Sequence, residues 1–80
     1  MVDKYIVYAD GGARGNPGPA GAGAVILGPD GKVLKTLSRF LGRTTNNQAE
    51  YQAAVMALQA LKKILGTARA RVTPIELRLD

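Results

Sequence analysis

Apolar positions along the chain change rhythm several times. Lys4 to Asp10 carries a near-continuous apolar run, Tyr5-Ile6-Val7-Tyr8, and predicts a central strand covered on both faces. Gly11 to Gly23 holds six of the ten glycines and predicts a tight loop that exposes backbone. Gly21 to Leu27 predicts a second strand, and its small Ala22, Gly23 and Ala24 predict close packing by another element. Gly28-Pro29-Asp30-Gly31 has the chemistry of a hairpin turn. Lys32 to Leu41, with both faces mixed, predicts an antiparallel strand at a sheet edge.

From Ala49 to Leu65 the spacing becomes helical. Asn47 is the expected N-cap, with Glu50 three residues on as in a capping box, and Gly66 is the expected C-cap. Apolar residues cover most of this helix's wheel, so one face fits a sheet and a second needs another cover. Residues 67–73 are expected to be a basic connection, and Ile75 to Leu79 a last strand. The order is β-β-β-α-β, an α/β fold with one long helix in a single domain over residues 1–80. The helix should link parallel strands through a right-handed crossover.

Composition removes whole classes of chemistry. The 80 residues contain no cysteine and no histidine, which excludes disulfides, thiolate or imidazole metal ligands and histidine general bases. The net charge of +5 favours a polyanionic partner only weakly. No stretch has the length and apolarity of a membrane span, and no signal layout opens the chain, so a cytoplasmic location without membrane partners is expected.

The six carboxylates are Asp3, Asp10, Asp30, Glu50, Glu76 and Asp80. Asp10 and Asp80 each close a strand expected to be parallel and adjacent, and Glu50 starts the helix. Ligands gather at such strand ends in open α/β sheets. Three clustered carboxylates repel unless a cation joins them, and all-oxygen donors suit magnesium or manganese. Each acid also has an ordinary use, in a cap, a turn or a solvated chain end. The glycine run is neither a Walker loop nor a dinucleotide fingerprint. Asn46, Asn47 and Gln48 are neutral donors and acceptors beside a helix start, suited to phosphate or sugar hydroxyls as well as to capping.

Asp10-Gly11-Gly12-Ala13-Arg14-Gly15-Asn16-Pro17-Gly18-Pro19-Ala20-Gly21 resembles the first-strand signature of type 1 ribonuclease H. Thr44-Thr45-Asn46-Asn47-Gln48-Ala49-Glu50-Tyr51 resembles that family's helix start, and Leu77-Arg78-Leu79-Asp80 the strand ending in its third acid. The resemblance implies a ribonuclease H-like mixed sheet, here in order 3-2-1-4. It implies hydrolysis of the RNA strand of RNA–DNA hybrids with two Mg2+ or Mn2+ ions. Asp10, Glu50 and Asp80 would be the catalytic acids and, with Gly11, the metal-site positions. Gly11, Gly12, Asn16, Asn46, Asn47 and Gln48 would meet substrate. The family's fourth acidic residue, histidine loop and further helices have no counterpart, so the sequence looks like the N-terminal half of the enzyme. A homodimer through helix 49–65 or edge strand 75–79 is therefore expected, with activity confined to the dimer as one outcome. An inactive hybrid- or metal-binding module, or a self-associating structural fragment, is the alternative.

Overall fold

The computed structural model describes residues 4–79. Three strands come first, β1 (Tyr5–Ala13), β2 (Gly18–Leu27) and β3 (Val33–Thr44). Two helices follow, α1 (Asn46–Leu65) and α2 (Thr67–Val72), and then β4 (Ile75–Leu79). The sheet order is β3-β2-β1-β4, antiparallel except for the parallel β1–β4 pair. The mixed sheet and its order are those expected from the sequence, and both β3 and β4 are edges among the described residues.

Why α1 can lie on this sheet follows from residue size. Its buried stripe is Ala49, Ala53, Ala57, Leu61 and Leu65, recurring every four residues along one face. The sheet answers with Val7 and Ala9 from β1 and Ala22, Ala24 and Ile26 from β2, all buried in the same core. Alanine against alanine lets helix and sheet approach at the N-terminal end of α1, while Leu61 and Leu65 fill the wider C-terminal end. Val7, Ile26 and Leu61 have no exposed surface, and each contributes about 1.5–3 kcal/mol by leaving water. The close-packing partner expected for Ala22 and Ala24 is thus α1. On either side of its buried stripe apolar residues stay uncovered among the described residues, with Tyr51 68% and Leu58 38% exposed on one flank and Ile64 42% exposed on the other.

Several boundaries differ from expectation. The run Gly11 to Gly23 is mostly strand: Gly11 pairs with Ala22, Gly12 with Gly21 and Ala13 with Ala20. Only residues 14–17 form the connection, closed by the Arg14 N–H donating to the Pro19 carbonyl at 2.9 Å. Glycine and alanine lack the bulk that would keep α1 away, and their backbone groups pair as well as any other. The third strand also runs on past Leu41 to Thr44.

The helix begins at Asn46 rather than Ala49, and its N-cap is Thr45 rather than Asn47. The Thr45 hydroxyl accepts from the Gln48 N–H at 3.2 Å, the first half of a Thr-x-x-Gln capping box. Asn47 is therefore inside the helix, and Glu50 lies beyond the capping position.

Residues 67–72, expected as a connection, form α2. Alanine and arginine are strong helix formers, and Pro74 keeps the turn short. The turn between β2 and β3 is as expected, with Gly31 at φ +82° and its N–H donating to the Gly28 carbonyl at 2.9 Å.

Candidate active site

β1 and α1 touch at one point that sets the geometry. A Cβ built on Gly11 would lie 2.1 Å from the Ala49 carbonyl oxygen and 2.8 Å from the Glu50 nitrogen. Backbone therefore meets backbone here, and only glycine permits it. The contact seats the strand segment carrying Asp10 directly against the helix turn carrying Glu50.

The two acids adjoin this contact in sequence, Asp10 before Gly11 on β1 and Glu50 after Ala49 on α1. Along β1 the buried Val7 and Ala9 face α1, so the exposed Tyr8 and Asp10 belong to the opposite face. Asp10 there borders a trough of about 570 Å³ together with Tyr8, Val25, Thr36, Arg78 and Leu79. Glu50 is half-buried near the start of α1. It carries none of the capping that the sequence offered as its ordinary use, because the Thr45 hydroxyl caps the helix.

Asp80 lies outside the described residues. Its predecessor Leu79 pairs with Ala9, the predecessor of Asp10, in the last parallel rung between β4 and β1. Among the described residues, no three carboxylates form a group able to hold a metal ion.

The connection between β1 and β2 is anchored to α1 by two asparagines. Asn16 Oδ1 accepts from the Asn46 N–H at 2.9 Å, and Asn46 Oδ1 accepts from the Ala13 N–H at 2.6 Å. Each keeps its amide NH2 free to donate. Asn16, Asn46, Asn47 and Gln48 are exposed, as is Gly12, while Gly11 is half-buried beneath the helix. The predicted substrate-contacting residues thus surround the β1–α1 contact, and two of them are also its fasteners. Sequence reasoning missed Thr45 as the cap, although Thr45-Asn-Asn-Gln48 carries the capping-box pattern.

Arg78 is the other residue that the sequence did not single out. Its guanidinium donates to the Tyr8 hydroxyl at 2.7 Å and lies 5.4 Å from the Tyr8 ring centroid. It also pairs with Glu76, which Lys4 holds from the other side at 2.7 Å. Both flanking cations hold the Glu76 carboxyl below its ordinary pKa, the hydrogen bond from Lys4 most and that from Arg78 next.

A three-stranded antiparallel meander with one parallel strand added through a helical crossover, and acids on β1 and α1, defines a ribonuclease H-like α/β fold. Solved structures agree. LC11-RNase H1, isolated from compost, superposes with a TM-score of 0.86 at 47% identity, covering 99% of this chain and 55% of that one. The same LC11-RNase H1 in complex with an RNA/DNA hybrid gives 0.81 at 45% identity, over 94% of this chain and 53% of that one. The RNase H family model matches residues 2–73, and the chain belongs to that family. A ribonuclease H from Symbiobacterium thermophilum is 56% identical over 59 residues, which is 74% of this chain and 39% of the relative. The ribonuclease HI of Halobacterium salinarum is 51% identical over 57 residues, 71% of this chain and 29% of the relative. The chain spans less than half the length of these curated relatives.

Proposed function

We propose that the chain acts in divalent-metal-dependent endoribonucleolysis of the RNA strand of RNA–DNA hybrids. The observation that carries this reading is the Gly11–Ala49 contact, which brings the strand of Asp10 and the helix of Glu50 together in the family's order. The hybrid-bound relative supports the substrate class.

The donor chemistry fits Mg2+ or Mn2+. With no histidine or cysteine in the chain, carboxylate and carbonyl oxygens are the ligands available, and these are the donors hard cations select. Asp10, Glu50 and Asp80 would hold the metal, with the Gly11 backbone beside them. Bound there, the ions would activate water and stabilise the attacking and leaving oxygens of an in-line displacement. The chain's own residues do the positioning. The free amide donors of Asn16 and Asn46, with Asn47 and Gln48, face 2′-hydroxyls or base acceptors, the groups that separate RNA from DNA. Gly12, with no side chain, leaves room for a phosphate beside them.

Self-association completes the proposal. Tyr51 and Leu58 leave apolar surface on one flank of α1 in water, and β4 offers an open edge that another strand can extend. A two-fold dimer through one of these surfaces would cover it. Among the described residues, no helix is long and apolar enough to cross a membrane.

Cleavage of an end-labelled hybrid, with Mg2+ and with Mn2+, tests the activity. Product from the wild-type chain and none from Asp10→Asn supports it. Absence of product with either metal, from protein shown to be folded, overturns it. Sedimentation equilibrium run alongside reads the assembly, and a monomer at every concentration removes the dimer.

A further inference from the structure

The open edge of β4 specifies what can pair with it. In a parallel pair, a strand turns the N–H and C=O groups of alternate residues toward its neighbour. The Tyr5 N–H donates to the Pro74 carbonyl at 3.1 Å, and Tyr5 stands level with Ile75. By that alternation Glu76 and Arg78 give their backbone groups to β1, while Ile75, Leu77 and Leu79 turn theirs to the open edge. No described strand lies beyond them. The side chains alternate too. Leu77 packs against the core and so faces α1, with Ile75 and Leu79 on the same face and exposed. Glu76 and Arg78 share the opposite face with Tyr8, whose hydroxyl accepts from Arg78.

We propose that β4 pairs antiparallel with β4 of a second copy of this chain, with Leu77 on the two-fold axis. This rests on the self-association proposed above and commits it to one surface and one register. Hydrogen bonding and charge select that register independently. Only residues whose backbone faces outward can exchange bonds across the edge, so Ile75, Leu77 and Leu79 must meet one another. With Leu77 opposite the partner's Leu77, Ile75 meets the partner's Leu79, and every outward N–H and C=O of the strand is paired. The two neighbouring registers put the axis at Glu76 or at Arg78 and set like charges opposite each other. The Leu77 register instead sets Glu76 opposite the partner's Arg78, twice by symmetry, where Cα atoms approach to about 4.5 Å. Lys4 and Arg78 already hold Glu76 within one chain, so the two clusters merge into one network of alternating charge. On the other face, Ile75, Leu77 and Leu79 of both copies form one apolar strip. The axis stands normal to the sheet, so the two sheets join and both long helices lie on the same side. An unrelated strand could use the edge bonds, but Ile-Glu-Leu-Arg-Leu read antiparallel is its own complement.

Sedimentation equilibrium on the full chain tests the register. The wild type should show a monomer–dimer equilibrium. Glu76→Arg and Arg78→Glu each place like charges at both symmetry-related sites, and each should weaken the dimer about ten-fold, with circular dichroism unchanged. An equimolar mixture of the two variants restores opposite charges at both sites and should associate as tightly as the wild type. Wild-type affinity in both single variants, or a mixture no tighter than its components, overturns the proposal and leaves self-association through α1 standing. A wild type monomeric at every concentration overturns both. Amide hydrogen exchange on the wild type keeps the test open if a variant fails to fold. Raising the concentration should protect the N–H groups of Leu77 and Leu79 and leave those of Glu76 and Arg78, already bonded to β1, unchanged. A dimer that forms without added protection at Leu77 overturns the proposal. Hybrid cleavage by the same preparations reports separately on the nuclease proposal.

Discussion

Asn16 and Asn46 are 30 residues apart in sequence, yet the Asn16 side-chain oxygen accepts the Asn46 backbone N–H at 2.9 Å. Asn46 passes the tie on, its own side-chain oxygen accepting from Ala13 at 2.6 Å. Loop, helix start and strand end are one hydrogen-bonded unit, and residues suited to touch substrate are also the ones that hold the unit closed.

Removing either side chain should therefore register in stability as well as in binding. Asn16→Ala and Asn46→Ala each delete one hydrogen bond at an exposed position, so each should lower the unfolding free energy by about 0.5–1.5 kcal/mol. Urea titration checks this. A midpoint unchanged in both variants would show that the two side chains do not fasten the loop to the helix.

Gly11 and Gly12 are neighbours in sequence with opposite tolerances. An alanine Cβ at Gly11 would fall 2.1 Å from the Ala49 carbonyl, whereas at Gly12 its nearest neighbour is the Asn46 side-chain oxygen at 3.9 Å. Gly11→Ala must push the start of α1 off the strand and should cost about 1–3 kcal/mol or more, as overpacking does. Gly12→Ala should fold nearly as the wild type. Comparable thermal melts for the two variants would contradict the close approach.

Glu50 separates capping from chemistry. Thr45 supplies the cap, so Glu50→Ala should change stability by no more than about 0.5 kcal/mol, while Thr45→Ala should cost about 1 kcal/mol. Hybrid cleavage should respond in the opposite order, abolished by Glu50→Ala and retained by Thr45→Ala. Paired melting and cleavage measurements on the two variants decide it, and a large stability loss in Glu50→Ala would return Glu50 to a structural role.

Period and turn chemistry make the β-β-β-α-β succession and the long helix legible in the sequence, while the strand order comes from the family resemblance. Gly28 to Gly31 spelled a turn, and the small residues of β2 announced close packing. Glycine was misleading where it served approach rather than turning: Gly11 and Gly12 are paired strand residues whose bareness makes room for α1 and for the surface beside it. The helix start was misplaced because Thr45, Asn46 and Asn47 are all plausible caps, and only the engagement of Asn46 with Ala13 and Asn16 settles the choice. α2 was missed because a stretch of six residues shows no periodicity. Asp10 and Glu50 stood out by residue type and position.

Glu76 supplies a dependence on pH. Lys4 donates to it at 2.7 Å and Arg78 pairs with it from the other side, and together they hold its carboxyl below the ordinary value of 4.5. In the unfolded chain both partners are gone and the carboxyl titrates near that ordinary value. A depressed native pKa means that the folded state binds the proton less tightly than the unfolded one. The stabilisation is therefore complete above about pH 4.5 and is lost progressively as pH falls through the lower native value. Thermal melts from pH 7 to pH 3 should show a decline in Tm beginning near pH 4.5. Glu76→Gln should lie below the wild type at neutral pH and show a shallower decline in acid. The effect will be modest because the pair is exposed, and high salt should shrink it further. Parallel curves for wild type and Glu76→Gln across the whole range would show that the Lys4–Glu76–Arg78 cluster contributes nothing to the acid limb.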